Sequence, residues 1–207
     1  MKQGQKKRLS AGKICIVLGL VLIFGAAGLY GYNLWVDYQA GLQSDAAALA
    51  LVESIQGNGM DLLDVEDGFS AERLQVAEMD GAYYMGVLTI PALEKILPVQ
   101  SDWSMTKLKT SPCRYSGTLL GGEFVIAGHN YKRHFSGIST LSIGDSIVFT
   151  DLEGKQTFYE VKEIYTVAAT DIEGMVNSGY DLSLFTCNYG GKARVTVRCE
   201  RIAVPEA

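Results

Sequence analysis

The sequence predicts a mostly β domain, a closed or nearly closed antiparallel β-barrel of about eight strands with short helices, preceded by an N-terminal transmembrane helix. Three observations predict it. From Tyr83 onward the chain is a succession of short apolar runs separated by Gly- and Pro-containing turns, with little room for crossover helices. Between Tyr180 and Arg201 two such runs alternate in the strand manner and are joined through Asn188 to Gly191, where paired glycines supply a tight turn. Residues 14–35 carry no charge and are long enough, as a helix, to match the thickness of a bilayer.

Composition narrows the function classes. A chain of 207 residues holds one domain with a sizeable core plus a short extra segment. The formal charge of -5 argues against nucleic acid as a partner. There are four cysteines and two histidines, so His129 and His134 are the only imidazoles available for acid–base work. No Cys/His spacing suits a structural zinc site.

Taken in order, residues 1–13 are basic (Lys2, Lys6, Lys7, Arg8, Lys13) and contain no acid. Residues 14–35 follow as the membrane span, with Tyr30, Tyr32 and Trp35 at its far end, where aromatic belts sit. Positive charge ahead of the span puts the N-terminus in the cytoplasm and the rest of a single-pass chain outside the cell. An uncleaved signal anchor fits better than a cleaved signal peptide, because the apolar run continues past the small residues Ala26, Ala27 and Gly28. Residues 36–80 read as a polar, acidic stem. Ala46 to Ile55 has helix-forming composition, with Ser44 or Asp45 as its cap and Gly57 to Gly59 as its end, and a second short helical pattern covers Ser70 to Glu78. The acids Asp61, Asp64, Glu66 and Asp67 match no calcium-loop spacing and read as a solvated spacer. Residues 81–207 are the barrel. Its strands are expected in YYMGVLTI, ILPV and GGEFVIA, in a hairpin of GDSIVFTD and QTFYEVKEIYTV, and in the two runs flanking Asn188 to Gly191.

The chemistry concentrates at strand ends. Cys187 closes the run LSLFTC, and Arg194, Thr196 and Arg198 share one face of the following strand. If these strands are neighbours, Arg194 reaches the thiol; a fixed cation favours the thiolate and later receives an oxyanion. His129 ends the strand before it, in a Gly-His-Asn turn. A Cys/His pair performs acyl transfer by thiolate attack on a carbonyl, proton donation to the leaving amine, and a thioester intermediate. The blander account makes Cys187 a small buried hydrophobe and Arg194 a solvated charge.

These residues resemble those of the sortases, membrane-anchored cysteine transpeptidases of Gram-positive surfaces. MGVLTIPALEKILPV resembles the opening strands of their barrel, FVIAGHN is similar to the segment around their histidine, and LSLFTC followed by an arginine is similar to their nucleophile signature. The resemblance runs from Tyr83 to Ile202. It implies that Cys187 is the nucleophile, His129 the catalytic histidine and Arg194 the oxyanion arginine, with Arg198 a rival one pleat further on. Thr186 matches the threonine before the thiol and implies a contact to substrate; Phe185 departs from the usual Ser or Thr. The implied reaction is cleavage of a C-terminal sorting motif of the Leu-Pro-x-Thr-Gly kind in secreted proteins, then transfer to an amine of a cell-wall precursor or a pilin lysine. No cofactor is implied; Asp171 and Glu173 are too few for the calcium activation of some class A members. The segment 168–181 is too short for the long helix of class B, and Asp102-Trp103 stands in the wrong place for the lid of the pilin-polymerising class C. A compact class A or class D type is expected.

Two other function classes compete. A papain-like cell-wall peptidase places Cys before His, the reverse of the order here. A non-catalytic membrane-anchored barrel that binds peptides would leave Cys187 inert to alkylation. His134 is expected in a surface loop. Cys113 and Cys199 pair as a disulfide or stay as buried thiols.

Overall fold

The computed structural model describes residues 11–59, 61–187 and 191–204. The chain divides into two units, Met1–Tyr38 and Gln39–Ala207. The division falls inside one helix, α1 (Ala11–Glu53). In the first unit its apolar side chains, Ile16, Leu22 and Phe24 among them, are exposed, and α1 is long and apolar enough to cross a membrane. The expectation of a separate helix capped at Ser44 or Asp45 does not hold. No proline or glycine pair interrupts the run from Asp37 to Ala46, Ser44 is buried in the helix, and Asp45 is committed to an ion pair with Arg133.

The rest of the stem is folded, although Asp61, Asp64 and Glu66 within it are exposed. Strands β1 (Leu62–Glu66) and β2 (Arg73–Met79) form there, so the segment read as helical, Ser70 to Glu78, is mostly strand. Its composition favours helix, but Ala77 pairs with Leu62 on one side and Tyr84 on the other, and Val76 and Ala77 are fully buried. Tertiary pairing overrides propensity here. Asp67 pairs with the buried Arg114 at 2.8 Å, and the Phe69 ring lies 4.7 Å from that guanidinium.

The barrel is built from β3 (Ala82–Ile90), β4 (Lys95–Gln100), β5 (Cys113–Thr118), β6 (Gly122–Ala127), β7 (Ser146–Asp151), β8 (Gln156–Ala168), β9 (Leu182–Cys187) and β10 (Ala193–Ile202), with a short helix α2 (Glu173–Val176) between β8 and β9. The strand order is β3-β4-β5-β6-β9-β10-β8-β7, and β7 returns to β3, so eight strands close the wall. Neighbours are antiparallel except β4–β5 and β6–β9. Closure leaves β3 with a branch point. Its first residues pair with β2 and its later ones with β7, and between them Gly86 has φ +153°, where a Cβ would run into the Thr150 carbonyl and the Phe149 ring. Only glycine fits that bulge.

Leu88, Ile90, Val99, Phe124, Ile126 and Phe149 fill the interior with Leu182, Leu184, Val197 and Cys199. A second cluster on the outer face joins Leu108, Cys113, Val125, Ala127, Met175 and Phe185. A third packs Leu51 of α1 against Ala77, Tyr84, Val87 and Leu152. Cys113 and Cys199 belong to different clusters and are both free thiols. Burial pushes each thiol up to about 12.

Candidate active site

Three adjacent strands carry the sequence-predicted residues. In β9, Leu182 and Leu184 point to the interior while Phe185 packs outside, and alternation puts Cys187 on the outer face with Phe185. Cys187 is exposed at the strand end. In β10, Arg194 is the direct cross-strand partner of Cys187, a spacing of about 5 Å between Cα atoms. The Arg194 guanidinium lies 5.4 Å from the centroid of the Phe185 ring, which fixes its outward lean by a cation–π contact. On the other side of β9, the parallel partner β6 pairs Ala127 with Phe185, and the Gly128 amide donates to the Phe185 carbonyl at 3.0 Å. Continuing that register by two residues brings His129 level with Cys187.

Gly128 is required by packing. A Cβ there would sit 2.6 Å from the Phe135 ring, which is wholly buried beneath this turn. The His129 ring stacks on Tyr131 at 4.8 Å and 27°. Partial burial, and then the charge of Lys109, push the imidazole below its ordinary pKa, so it is predominantly neutral at physiological pH.

The rival arginine is spoken for. Arg198 is fully buried, donating to the Tyr165 hydroxyl at 3.1 Å, to the Met175 carbonyl at 3.1 Å, and to Ser183 and the Gly174 carbonyl. It ties α2 to the barrel wall and does not reach Cys187. Thr186 is buried with a hydroxyl that has no partner among the described residues, beside a depression of about 330 Å³ lined by Thr186, Cys187, Val195, Phe135, Gly137 and Ile138. A larger cavity of about 630 Å³ lies between the second-unit part of α1 and β2–β3, away from the thiol. Among the described residues, no group of three or more His, Cys, Asp or Glu gathers as a metal site.

His134 is not on the surface, as expected from its polar loop, but completely buried. Of the aromatics that the sequence offers as groove or core residues, Phe135 is wholly buried beneath this loop and Tyr131 stacks between His129 and His134. Tyr189 lies outside the described residues, as do Asn188 and Gly190.

A family described as the sortase domain matches residues 88–202, more than half of the chain. The chain belongs to the sortase family. This sortase is therefore a cysteine transpeptidase, with the strand arrangement its relatives share. The structure of sortase C1 of GBS Pilus Island 1 is similar at TM-score 0.56 and 25% identity, covering 83% of this chain and 86% of that one. Sortase C1 from Streptococcus agalactiae is similar at TM-score 0.54 and 28% identity, covering 62% of this chain and 72% of that one. Sortase E from Streptomyces avermitilis gives TM-score 0.50 and 28% identity over 58% of this chain and 88% of that one. Solved structures titled sortase A and sortase D5 are also similar, so likeness of fold selects no class. No curated protein matches the chain.

Proposed function

We propose that this sortase cleaves a Leu-Pro-x-Thr-Gly-like sorting motif with Cys187 as nucleophile, His129 as acid and base, and Arg194 as oxyanion partner. The single observation that carries this is the register of β9 with its neighbours, which pairs Arg194 of β10 with Cys187 and, continued two residues past the Ala127–Phe185 pair at the end of β6, leads to His129 on the other side.

The neutral imidazole of His129 takes the thiol proton. The Cys187 sulfur then attacks the threonine carbonyl carbon, and the C=O π electrons move to oxygen, where the Arg194 guanidinium meets the negative charge. Collapse re-forms the carbonyl and breaks the C–N bond to glycine, and imidazolium returns its proton to the leaving amine. An amine then attacks the thioester, gives a proton to His129, and displaces the thiolate. Every proton and electron pair is held by these three residues and the two substrates, so the reaction needs no cofactor. Thr186 lies directly before the thiol and beside the depression at Cys187, but its hydroxyl is buried, so a contact to the substrate backbone requires it to be uncovered. α1 serves as a membrane anchor with the N-terminus in the cytoplasm and the barrel outside, where secreted substrates and cell-wall or pilin amines are found. A four-residue α2 between β8 and β9 favours a compact class A or D type over class B.

Mass spectrometry of the full chain in detergent, incubated with a panel of sorting peptides with and without triglycine, tests this. The expected products are a thioester on Cys187 and an amine-transferred peptide. Cys187→Ala is expected to abolish both without changing the thermal midpoint, since the side chain is exposed; turnover retained by that variant sinks the assignment.

A further inference from the structure

The loop following His129 is gripped from behind by the helix that leads out of the N-terminal segment. Within the second unit, Arg133 pairs with Asp45 of α1, and the Arg133 stem lies directly against Gly41, where a Cβ would collide with its Cδ and approach its Cγ and Cβ. The next residue, His134, is sealed inside. Neither ring nitrogen makes a hydrogen bond of good geometry, although the carbonyls of Ala40 in α1 and Thr110 before β5 face the ring. Lys95 of β4 donates its ammonium to the carbonyls of Lys132 and His134 at 2.7 Å each. From that fixed point Tyr131 stacks back, 5.4 Å from the His134 ring on one side and 4.8 Å from His129 on the other.

We infer that the helix segment from Gln39 to Glu53 is a clamp that sets the orientation of His129, acting through Arg133, His134 and Tyr131. The inference rests on the assignment of His129 as acid and base. A solvated ion pair alone contributes too little for this, since exposed pairs are worth about 0–1 kcal/mol. The weight falls on the close approach of Gly41 to Arg133 and on the ring stack, anchored at its buried end by His134. Tyr131 and His134 are thus positioning residues. Imidazole held by aromatic stacking presents one edge toward the level of Cys187, where a free loop would let it rotate. The charged or titratable groups facing this stack are Lys95 and Lys109 from the barrel side, and Arg133 with Asp45 from the helix side.

Gly41→Leu tests the clamp without weakening the helix, because leucine is a far better helix former than glycine. In the full chain in detergent, with a sorting peptide and triglycine, it is expected to lower kcat at least tenfold with KM within twofold and the thermal midpoint unchanged. Tyr131→Ala is expected to do the same, and Tyr131→Phe, which keeps the ring, to restore wild-type kcat. A second readout needs no turnover. The carbon-13 resonance of the His129 ring should titrate nearer the ordinary histidine value in Gly41→Leu and Tyr131→Ala as the loop opens to water. Unchanged kcat and unchanged titration in both variants overturn the clamp, as does activity lost only in step with unfolding. Failure of the parent assignment looks different: the unsubstituted chain then gives no Cys187-dependent product, while the ring titration still reports on the clamp.

Discussion

At the scale of single residues, two arginines four positions apart have opposite fates. Arg194 is half-buried and, among the described residues, rests on the Phe185 ring, so its truncation leaves the wall intact. Arg194→Ala is expected to lower kcat/KM by about 10² to 10³, as removal of an oxyanion donor does, with little change in stability. Arg198 is a buried cation that satisfies two backbone carbonyls and two hydroxyls. Arg198→Ala is expected to destabilise the barrel by roughly 2–4 kcal/mol, because it opens a cavity and orphans those carbonyls. Chemical denaturation and peptide kinetics on both variants separate the two roles, and a larger specific loss of rate at constant stability in the Arg198 variant would reverse them.

The buried histidine makes a second residue-level prediction. Burial first, and then the charges of His129 and Lys95, push His134 down to about 4 from 6.5. The native state keeps it neutral where the unfolded chain takes a proton. Its contribution to stability is full above pH 6.5, declines as pH falls, and is gone below about 4, a loss of roughly 3 kcal/mol across the window. Urea midpoints measured from pH 7 to 4.5 should fall more steeply for the wild type than for His134→Phe. Parallel slopes would place a charged or solvated His134 in the native state.

At the scale of elements, the bulge in β3 decides whether one strand can serve three partners. Gly86→Ala forces a Cβ into the Thr150 carbonyl at a φ that side chains avoid, and a cost of about 1–3 kcal/mol follows. Hydrogen exchange should rise first along β3 and β7, where the barrel closes; protection lost evenly over all strands would argue against a local effect. The strands most legible in the sequence were those with clear alternation and firm turns, such as β9, whose LSLFTC pattern places Cys187 at a strand end before any coordinates exist. β5 was missed because CRYSGT is short, broken by Gly117 and polar on one side. β2 read as helix because Ala, Glu, Leu and Gln favour helices locally, and its true partners lie on either side of it in sequence. Cys187, His129 and Arg194 could be proposed from the sequence because the sortase resemblance matches their order and spacing to family positions, with Arg198 left as a rival. Their supports, Tyr131 and His134, could not, since nothing local distinguishes a clamp from a core aromatic or a polar loop.

At the scale of the whole molecule, the two units have different solvents. The first presents exposed leucine, isoleucine and phenylalanine, while the second buries its apolar residues in three clusters. A chain beginning at about Asp37 retains Leu51 and the Gly41 to Asp45 segment. It is expected to be soluble without detergent and to keep the wild-type kcat on a peptide substrate. If such a truncation folds, by circular dichroism and thermal melting, yet loses turnover, the removed span does more than hold the barrel at the membrane.

The parallel seam between β6 and β9 has a consequence for how this enzyme comes into being. The strand bearing His129 is synthesised early, yet its wall neighbour is made only after the β7–β8 hairpin, and the strand bearing Arg194 only after that. Parallel partners distant in sequence pay a loop-closure entropy before they gain any contact. A chain in which β9 has found β6 but β10 has not yet joined holds Cys187 without Arg194 opposite it. Insertion of β10 between β9 and β8 is what sets Arg194 opposite Cys187, so the proposed thiol–cation pair forms together with the closing of the wall and not before it.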